Sequence, residues 1–331
     1  MPLPETQTAI VISAAGGPEV LIPKTVPVPQ PGEGQVLIRV AAAGINRHDV
    51  HQREAGRHSD GLDIPGLEVS GTIVALGPNV DDLAIGSRVV ALVQGGGYAE
   101  YAIANAPLVL PAPDGLSEIE AAGIPEAAFT SWWNFFGLMS LEKSGFALIH
   151  GGTSGVGHIA LQGLSALGYR ILATCGSEEK CDAARGFGAL AAFRYDDPDL
   201  AAKVMQATGD KGISTLVDVS AGAHLAQDLA MMAPDGCIAH LSGGGGADLK
   251  LPLRTIMAKR IRVTGSLLRP LPLSEKTKVA ARLRADLWPL LGTRVRPAIA
   301  QTFALQDAAD AHRAMEQNAH IGKIMLAVGQ R

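Results

Sequence analysis

The 331-residue chain is poor in cysteine, aromatic residues and net charge. Its three cysteines cannot all pair and show no metal-ligand spacing, which argues against a disulfide scaffold and points to a reducing, cytoplasmic setting. Aromatic residues at 4% leave no stacking platform for single-stranded nucleic acid. Lys and Arg number 28 against 32 Asp and Glu, a net charge of −4, so no general attraction to nucleic acid or an anionic membrane is expected. No apolar run approaches the ~18 residues of a spanning helix. The opening residues MPLPETQTAIVIS lack the basic region, apolar run and cleavage site of a secretory signal. Hydrophobic residues at 47% and charged residues at 18% mark a globular protein, and the length suits two domains.

The first third is punctuated by Gly and Pro, with short β-branched runs at Val36–Val40, Val69–Leu76, Arg88–Val93 and Ala99–Ala104. Close-spaced short strands imply a β-barrel. After Ser117, apolar runs at Phe146–His150, Arg170–Thr174, Thr215–Val219 and Cys237–Leu241 alternate with helical stretches at Val156–Leu167, Glu178–Gly186, Asp199–Thr208 and His224–Met232. Strand alternating with helix implies a doubly wound parallel sheet. Helical stretches at Thr277–Leu290 and Gln306–Gln317 and a strand at Lys323–Val328 are expected to return to the first domain. The expected division is 1–124 with 267–331, and 125–266.

The most informative segment is the strand Phe146–His150 running into Gly152-Thr153-Ser154-Gly155-Val156-Gly157 and then a helix. Gly152 permits a tight turn, Gly155 lets backbone approach a pyrophosphate, and Gly157 allows close helix–strand packing, with phosphate on the helix N-terminus. An acid about 20 residues on selects NAD by binding the ribose. Here the second strand ends in Cys175-Gly176-Ser177-Glu178-Glu179-Lys180. Without an Asp at 176 or 177, with a Ser177 hydroxyl and a Lys180 charge, NADPH is favoured. Glu178 and Glu179 are expected on a solvent face. Tyr195 either lends a hydroxyl or stack near the adenine, or packs.

Together with these features, Gly44-Ile45-Asn46-Arg47-His48-Asp49, Pro65–Gly71, Gly95–Tyr101, Ile124–Ala127 with Thr130, Ser266–Arg269 and Asn318–Ile324 make the chain resemble the zinc-free quinone oxidoreductase branch of the medium-chain dehydrogenases/reductases. It is most similar to the tumour-suppressor-inducible quinone oxidoreductase group. The resemblance implies an α/β fold, a Rossmann doubly wound parallel sheet plus a GroES-like β-barrel domain. Zinc members carry a Cys in the early loop and a Gly-His-Glu triplet. This chain has Asn46 and Gly66-Leu67-Glu68 there, and its cysteines, 175, 181 and 237, all fall in the second domain, so no zinc site is expected.

Without a metal to polarise the substrate, a conjugated quinone or enone is the fitting hydride acceptor. The resemblance makes Asn46 a candidate for the acceptor pocket, with Asp49 supporting the same loop or capping the helix that begins there. Relatives carry a Tyr near position 58. Here His58 is either a proton donor or an exposed loop residue. Thr130, Leu241, Ser242, Gly243, Ser266, Leu267 and Leu268 are implied along the nicotinamide side. Lys323 is either a phosphate contact or a surface lysine, and Asp218 reads as structural. The expected activity is NADPH:quinone oxidoreduction by a cytoplasmic homodimer acting on a small molecule. Reduction of α,β-unsaturated aldehydes or ketones, and a non-catalytic NADPH-binding redox sensor, are the alternatives. The run Ile261–Gly265 is the candidate dimer strand by analogy.

Overall fold

The computed structural model describes residues 3–56, 64–220, 222, 224–242 and 248–329. The chain forms two compact units, Met1–Ala127 with Leu291–Arg331, and Ala128–Leu290.

In the first unit, β1 (Thr6–Ile12) and β2 (Leu21–Pro27) pair antiparallel. Next come β3 (Gln35–Gly44), α1 (Arg47–Ala55), β4 (Glu68–Leu76), β5 (Arg88–Leu92), β6 (Tyr101–Asn105), β7 (Val109–Pro111) and α2 (Glu118–Ala122). The chain leaves this unit within α3 (Pro125–Trp132). The second unit holds β8 (Phe146–His150), α4 (Gly155–Ala166), β9 (Arg170–Cys175), α5 (Glu178–Gly186), β10 (Ala192–Arg194), α6 (Leu200–Ala207) and β11 (Ile213–Asp218). It continues with α7 (Leu225–Met231), β12 (Met232–His240), α8 (Leu253–Lys259), β13 (Arg262–Gly265) and α9 (Leu273–Asp286). The return to the first unit supplies β14 (Ile299–Ala304), α10 (Ala308–Glu316) and β15 (Lys323–Ala327).

The first unit's larger sheet runs β14-β15-β3-β4-β5-β7, with β6 also on β3. Its β3–β4–β5 core is antiparallel, and most residues of these three strands are buried. Ile10, Val36, Ile38, Val69, Ile73, Ile324 and Leu326 meet there in one buried cluster. In the second unit, β10-β9-β8-β11-β12-β13 form a parallel sheet. All five residues of β8 are buried, as a strand covered on both faces requires. Each Leu or Ile so removed from water contributes roughly 1.5–3 kcal/mol.

The stretch 277–290, expected with the first domain, belongs to the second unit. The reason is packing: Trp132 donates from Nε1 to Asp286 at 3.2 Å, the Arg282 guanidinium lies 3.7 Å over the Phe136 ring, and Leu283 and Leu287 are fully buried. The chain therefore re-enters the first unit at Leu291 rather than at 267.

Candidate active site

The glycine-rich turn expected to bind phosphate lies between β8 and α4. Gly151 takes φ +70°, and Gly152 donates its N–H to the Thr174 carbonyl at 3.0 Å. Ser154 caps α4, its Oγ accepting from Gly157 N at 3.0 Å. A Cβ at 157 would stand 2.2 Å from the Gly151 carbonyl oxygen, so only glycine fits where helix and turn meet. Thr153 is buried beside them, while Gly155 and Val156 begin the helix whose free N–H groups suit an anion.

At the ends of β9 and β10 the residues predicted for the adenosine half gather. Ser177 caps α5, its Oγ accepting from Lys180 N at 3.2 Å. A Cβ at Gly176 would meet the Tyr195 ring at 3.3 Å, so the half-exposed tyrosine lies over this turn. Tyr195 also sits 5.3 Å from the His224 ring. The Glu178 carboxylate accepts from Arg185 at 3.0 Å and is largely exposed. These groups offer a hydroxyl and a lysine at the end of β9, with no carboxylate at 176 or 177. That donor set fits a dinucleotide with an additional phosphate.

Beyond β12 and β13, an open recess of about 570 Å³ is lined by His240, Leu241, Ser242, Gly265, Ser266 and Leu267, among others. Ser266 donates to Asn134 Oδ1 at 3.0 Å, and Asn134 Nδ2 donates to the Thr130 carbonyl at 2.8 Å. Thr130 and Leu268 are buried, Leu267 is exposed, and Gly243 lies outside the described residues.

In the first unit, Asn46 opens α1 beside a buried ion pair. Lys323 Nζ donates to the Glu68 carboxylate and, at 2.8 Å, to Asn46 Oδ1. Asn46 Nδ2 donates to the same Glu68 oxygen at 3.0 Å, and Glu68's other oxygen accepts from Glu126 N at 2.9 Å, in the first turn of α3. Glu68 and Lys323 are both excluded from solvent. A Cβ at Gly44 would stand 2.1 Å from the Glu68 carboxylate, so glycine there admits it. Lys323, implied at a phosphate or on the surface, is neither exposed nor without a counter-ion. Its side chain is 2% exposed and its ammonium faces Glu68 and Asn46. Leu67 is buried, so this loop offers zinc neither thiolate nor imidazole.

Asp49 is fully buried and ties three loops together. Its carboxylate accepts from Asn46 N at 2.8 Å, Gly66 N at 3.1 Å and the Tyr98 hydroxyl at 3.0 Å. The first bond is one half of a capping box. Burial pushes its pKa up to about 6, against the pull of those donors. Tyr98 gives its only proton to Asp49, so His312 Nε2–H donates to the Tyr98 oxygen, 3.2 Å away. His312 Nδ1 faces buried Arg53 Nη1 at 3.4 Å, and Arg53 reaches Glu316 at 2.5 Å. Burial first, then the charges of Arg53 and Arg47, lower the His312 pKa to about 3, so the ring is neutral. His58 lies outside the described residues.

Sequence reasoning missed Glu68 as an anchor, along with Tyr98, His312 and the pairing of His240 with Asp218. Glu68 and Tyr98 lay in motifs read for zinc and for a loop. His312 carried no local signal, since its partners come from α1 and from Tyr98. Among the described residues no group of three or more His, Cys, Asp or Glu is arranged to hold a metal ion, and no helix is long and apolar enough to cross a membrane.

Residues 32–114 match the alcohol dehydrogenase GroES-like domain, and 155–284 match the zinc-binding dehydrogenase family. The chain is 30% identical to a quinone oxidoreductase from Sus scrofa, over 96% of this chain and 97% of that one. It is 28% identical to a 2-haloacrylate reductase from a Burkholderia species, over 96% and 98%. Among solved structures it is similar to an NAD-dependent alcohol dehydrogenase (TM-score 0.85, 29% identity, 97% and 100% covered). A mycobacterial protein complexed with NADPH gives the same TM-score at 27% identity, 97% and 99% covered.

Proposed function

Because the chain belongs to the medium-chain dehydrogenase/reductase superfamily and is an oxidoreductase of that kind, we propose that it is an NADPH-dependent, zinc-independent quinone oxidoreductase. The observation that carries this is the pair of donor sets above: a hydroxyl and a lysine without a carboxylate at 176–177, and Asn46, Leu67 and a Lys323-bound Glu68 where zinc members place metal ligands. The turn 152–157 holds the pyrophosphate on α4. Ser177, Lys180 and Tyr195 hold the 2′-phosphate and adenosine. Thr130, Leu241, Ser242, Ser266, Leu267 and Leu268 shape the nicotinamide side. The bound dinucleotide supplies hydride. Asn46, its amide fixed by Glu68 and Lys323, and Asp49 give the acceptor loop one conformation, so little reorganisation is left to binding.

The similarity to 2-haloacrylate reductase supports a second reading, reduction of an activated carbon–carbon double bond. NADPH oxidation by metal-stripped protein separates the two, using a 1,4-quinone, an enone and a blank without acceptor. Preference for the quinone is expected. Tight NADPH binding with no acceptor-dependent oxidation would favour a sensor. Lys180→Glu is expected to weaken NADPH binding by about 10- to 100-fold and NADH far less, since it removes a charge-assisted bond to the 2′-phosphate. Equal losses would overturn the cofactor assignment.

A homodimer through β13 is part of this proposal. β13 is the edge strand of its sheet, and Leu253, Met257 and Leu267 are 63%, 75% and 67% exposed around it. Three free thiols, all buried, accord with a cytoplasmic location.

A further inference from the structure

Asp218 and His240 end the adjacent parallel strands β11 and β12, where they stand in register with one another. Ligands of open parallel sheets bind beyond this edge. The Asp218 carboxylate is fully buried and accepts four hydrogen bonds: from His240 Nδ1 at 2.8 Å, Ser220 N at 2.6 Å, Ser220 Oγ at 2.5 Å and Gly222 N at 2.6 Å. Burial alone would raise its pKa, but the bonds from His240 and Ser220 outweigh it and hold the carboxyl well below the usual range. Asp218 is therefore an anion. It makes His240 Nδ1 the donor and leaves Nε2 as the working nitrogen. That nitrogen is buried and has no hydrogen-bond partner among the described residues, and His240 is one of the residues lining the 570 Å³ recess, with Leu241, Ser242 and Ser266. A buried, unpaired nitrogen at a ligand-binding edge calls for an explanation.

We propose that His240, oriented by Asp218, is the proton donor of the reaction, and this rests on the oxidoreductase reading above. A quinone that has taken hydride, two electrons with one hydrogen, from the reduced dinucleotide is a hydroquinone monoanion. The His240 Nε2–H bond breaks and an O–H bond forms on that oxyanion. The imidazole is left neutral and regains its proton from water. For an enone the same proton neutralises the enolate. The ionisable group on the ring is Asp218; Asp218 in turn feels the charge of His150 at the end of β8, and His224, which leads into α7, feels His150, Asp228 and Asp218. His150 is itself held, its Nε2–H donating to Asp228 at 2.9 Å and its Nδ1 lying 2.6 Å from the Thr174 hydroxyl.

The test compares wild type, His240→Gln and Asp218→Asn from about pH 5.5 to 9. NADPH affinity is read by fluorescence titration, and turnover with a 1,4-quinone and an enone. The His240 imidazole is followed by ¹⁵N NMR in the wild type. In the expected result, His240→Gln binds NADPH within about threefold of wild type but loses about 10²-fold or more in turnover near pH 8. The wild-type fall in kcat with rising pH disappears in that variant and moves to lower pH in Asp218→Asn, where the imidazolium has lost its anion. The wild-type Nε2 resonance shifts when NADP⁺ and a hydroquinone are added. An unchanged pH profile in His240→Gln, or an Nε2 resonance indifferent to ligand, overturns the proposal. If His240→Gln does not fold, the NMR titration decides. Wild type that binds NADPH yet oxidises it no faster with any acceptor overturns the oxidoreductase reading as well, whereas loss confined to the variants leaves that reading intact.

Discussion

Removing the Lys323 ammonium would strand Glu68. In Lys323→Met the Glu68 carboxylate keeps only the Asn46 amide and Glu126 N–H as partners, in a place with no access to solvent. Loss of one partner from a buried pair costs about 3–5 kcal/mol, because the other charge remains desolvated. For a unit of this size each kcal/mol moves the melting temperature by about 2–4 °C, so the first unit is expected to melt about 6–20 °C lower. Glu68→Gln alone should also be costly, since it orphans the ammonium. The double variant should recover much of the loss, because a Gln and a Met leave no charge buried. The assay is a double-mutant cycle read by thermal melting, with near-ultraviolet circular dichroism separating the two units. A Lys323→Met shift under 2 °C, or strictly additive single effects, would refute the reasoning.

Two further outcomes are expected. Asp49 has its folded pKa raised from 3.8 to about 6, so protonation favours the fold: its contribution is present below about pH 4 and is lost as pH rises through 6. Relative to Asp49→Asn, wild-type stability should therefore fall by about 3 kcal/mol between pH 4 and 7.5, read from paired denaturant melts. A parallel pH dependence in the two proteins would refute it. Met257→Asp, on the exposed face of α8, should convert a dimer to monomer in sedimentation, and an unchanged sedimentation coefficient would exclude this face from the interface.

Much of the second unit was legible because its strands are short apolar runs and its turns carry their own chemistry. Phe146–His150 and Glu178–Gly186 fall where the residues alone place them, while the capping roles of Ser154 and Ser177 emerge only from the structure. The first unit was harder to read. β1 and β2 are not among the strand runs identified from the residues, since Pro23 and Pro27 interrupt the pattern of a strand that pairs along one edge. The helical stretch expected at Thr277–Leu290 overlaps the helix at Leu273–Asp286, which lies in the second unit rather than with the first domain as expected. Its apolar face matches either core in composition, and only the shape around Trp132 and Gly163 decides. Lys323 and Glu68 are 255 residues apart, and Tyr98 and His312 are 214 apart. Pairings of that range depend on the register of β15 against β3, which no local window contains.

That register also has a bearing on synthesis. β15 lies between β14 and β3, and its Met325–Ala327 occupies the stretch of β3 next to Asn46. A ribosome completes Ala128–Leu290 before it makes any of this strand, so the second unit has all its own residues while the first still waits for its final segment. During that interval the edge of β3 near Gly44 is an unpaired ladder, and Glu68 has no ammonium beside it. Arrival of one late strand thus seals an exposed sheet edge and neutralises a buried carboxylate in a single event. The loop at Asn46, held by Lys323, assumes its final form only after β15 has been made.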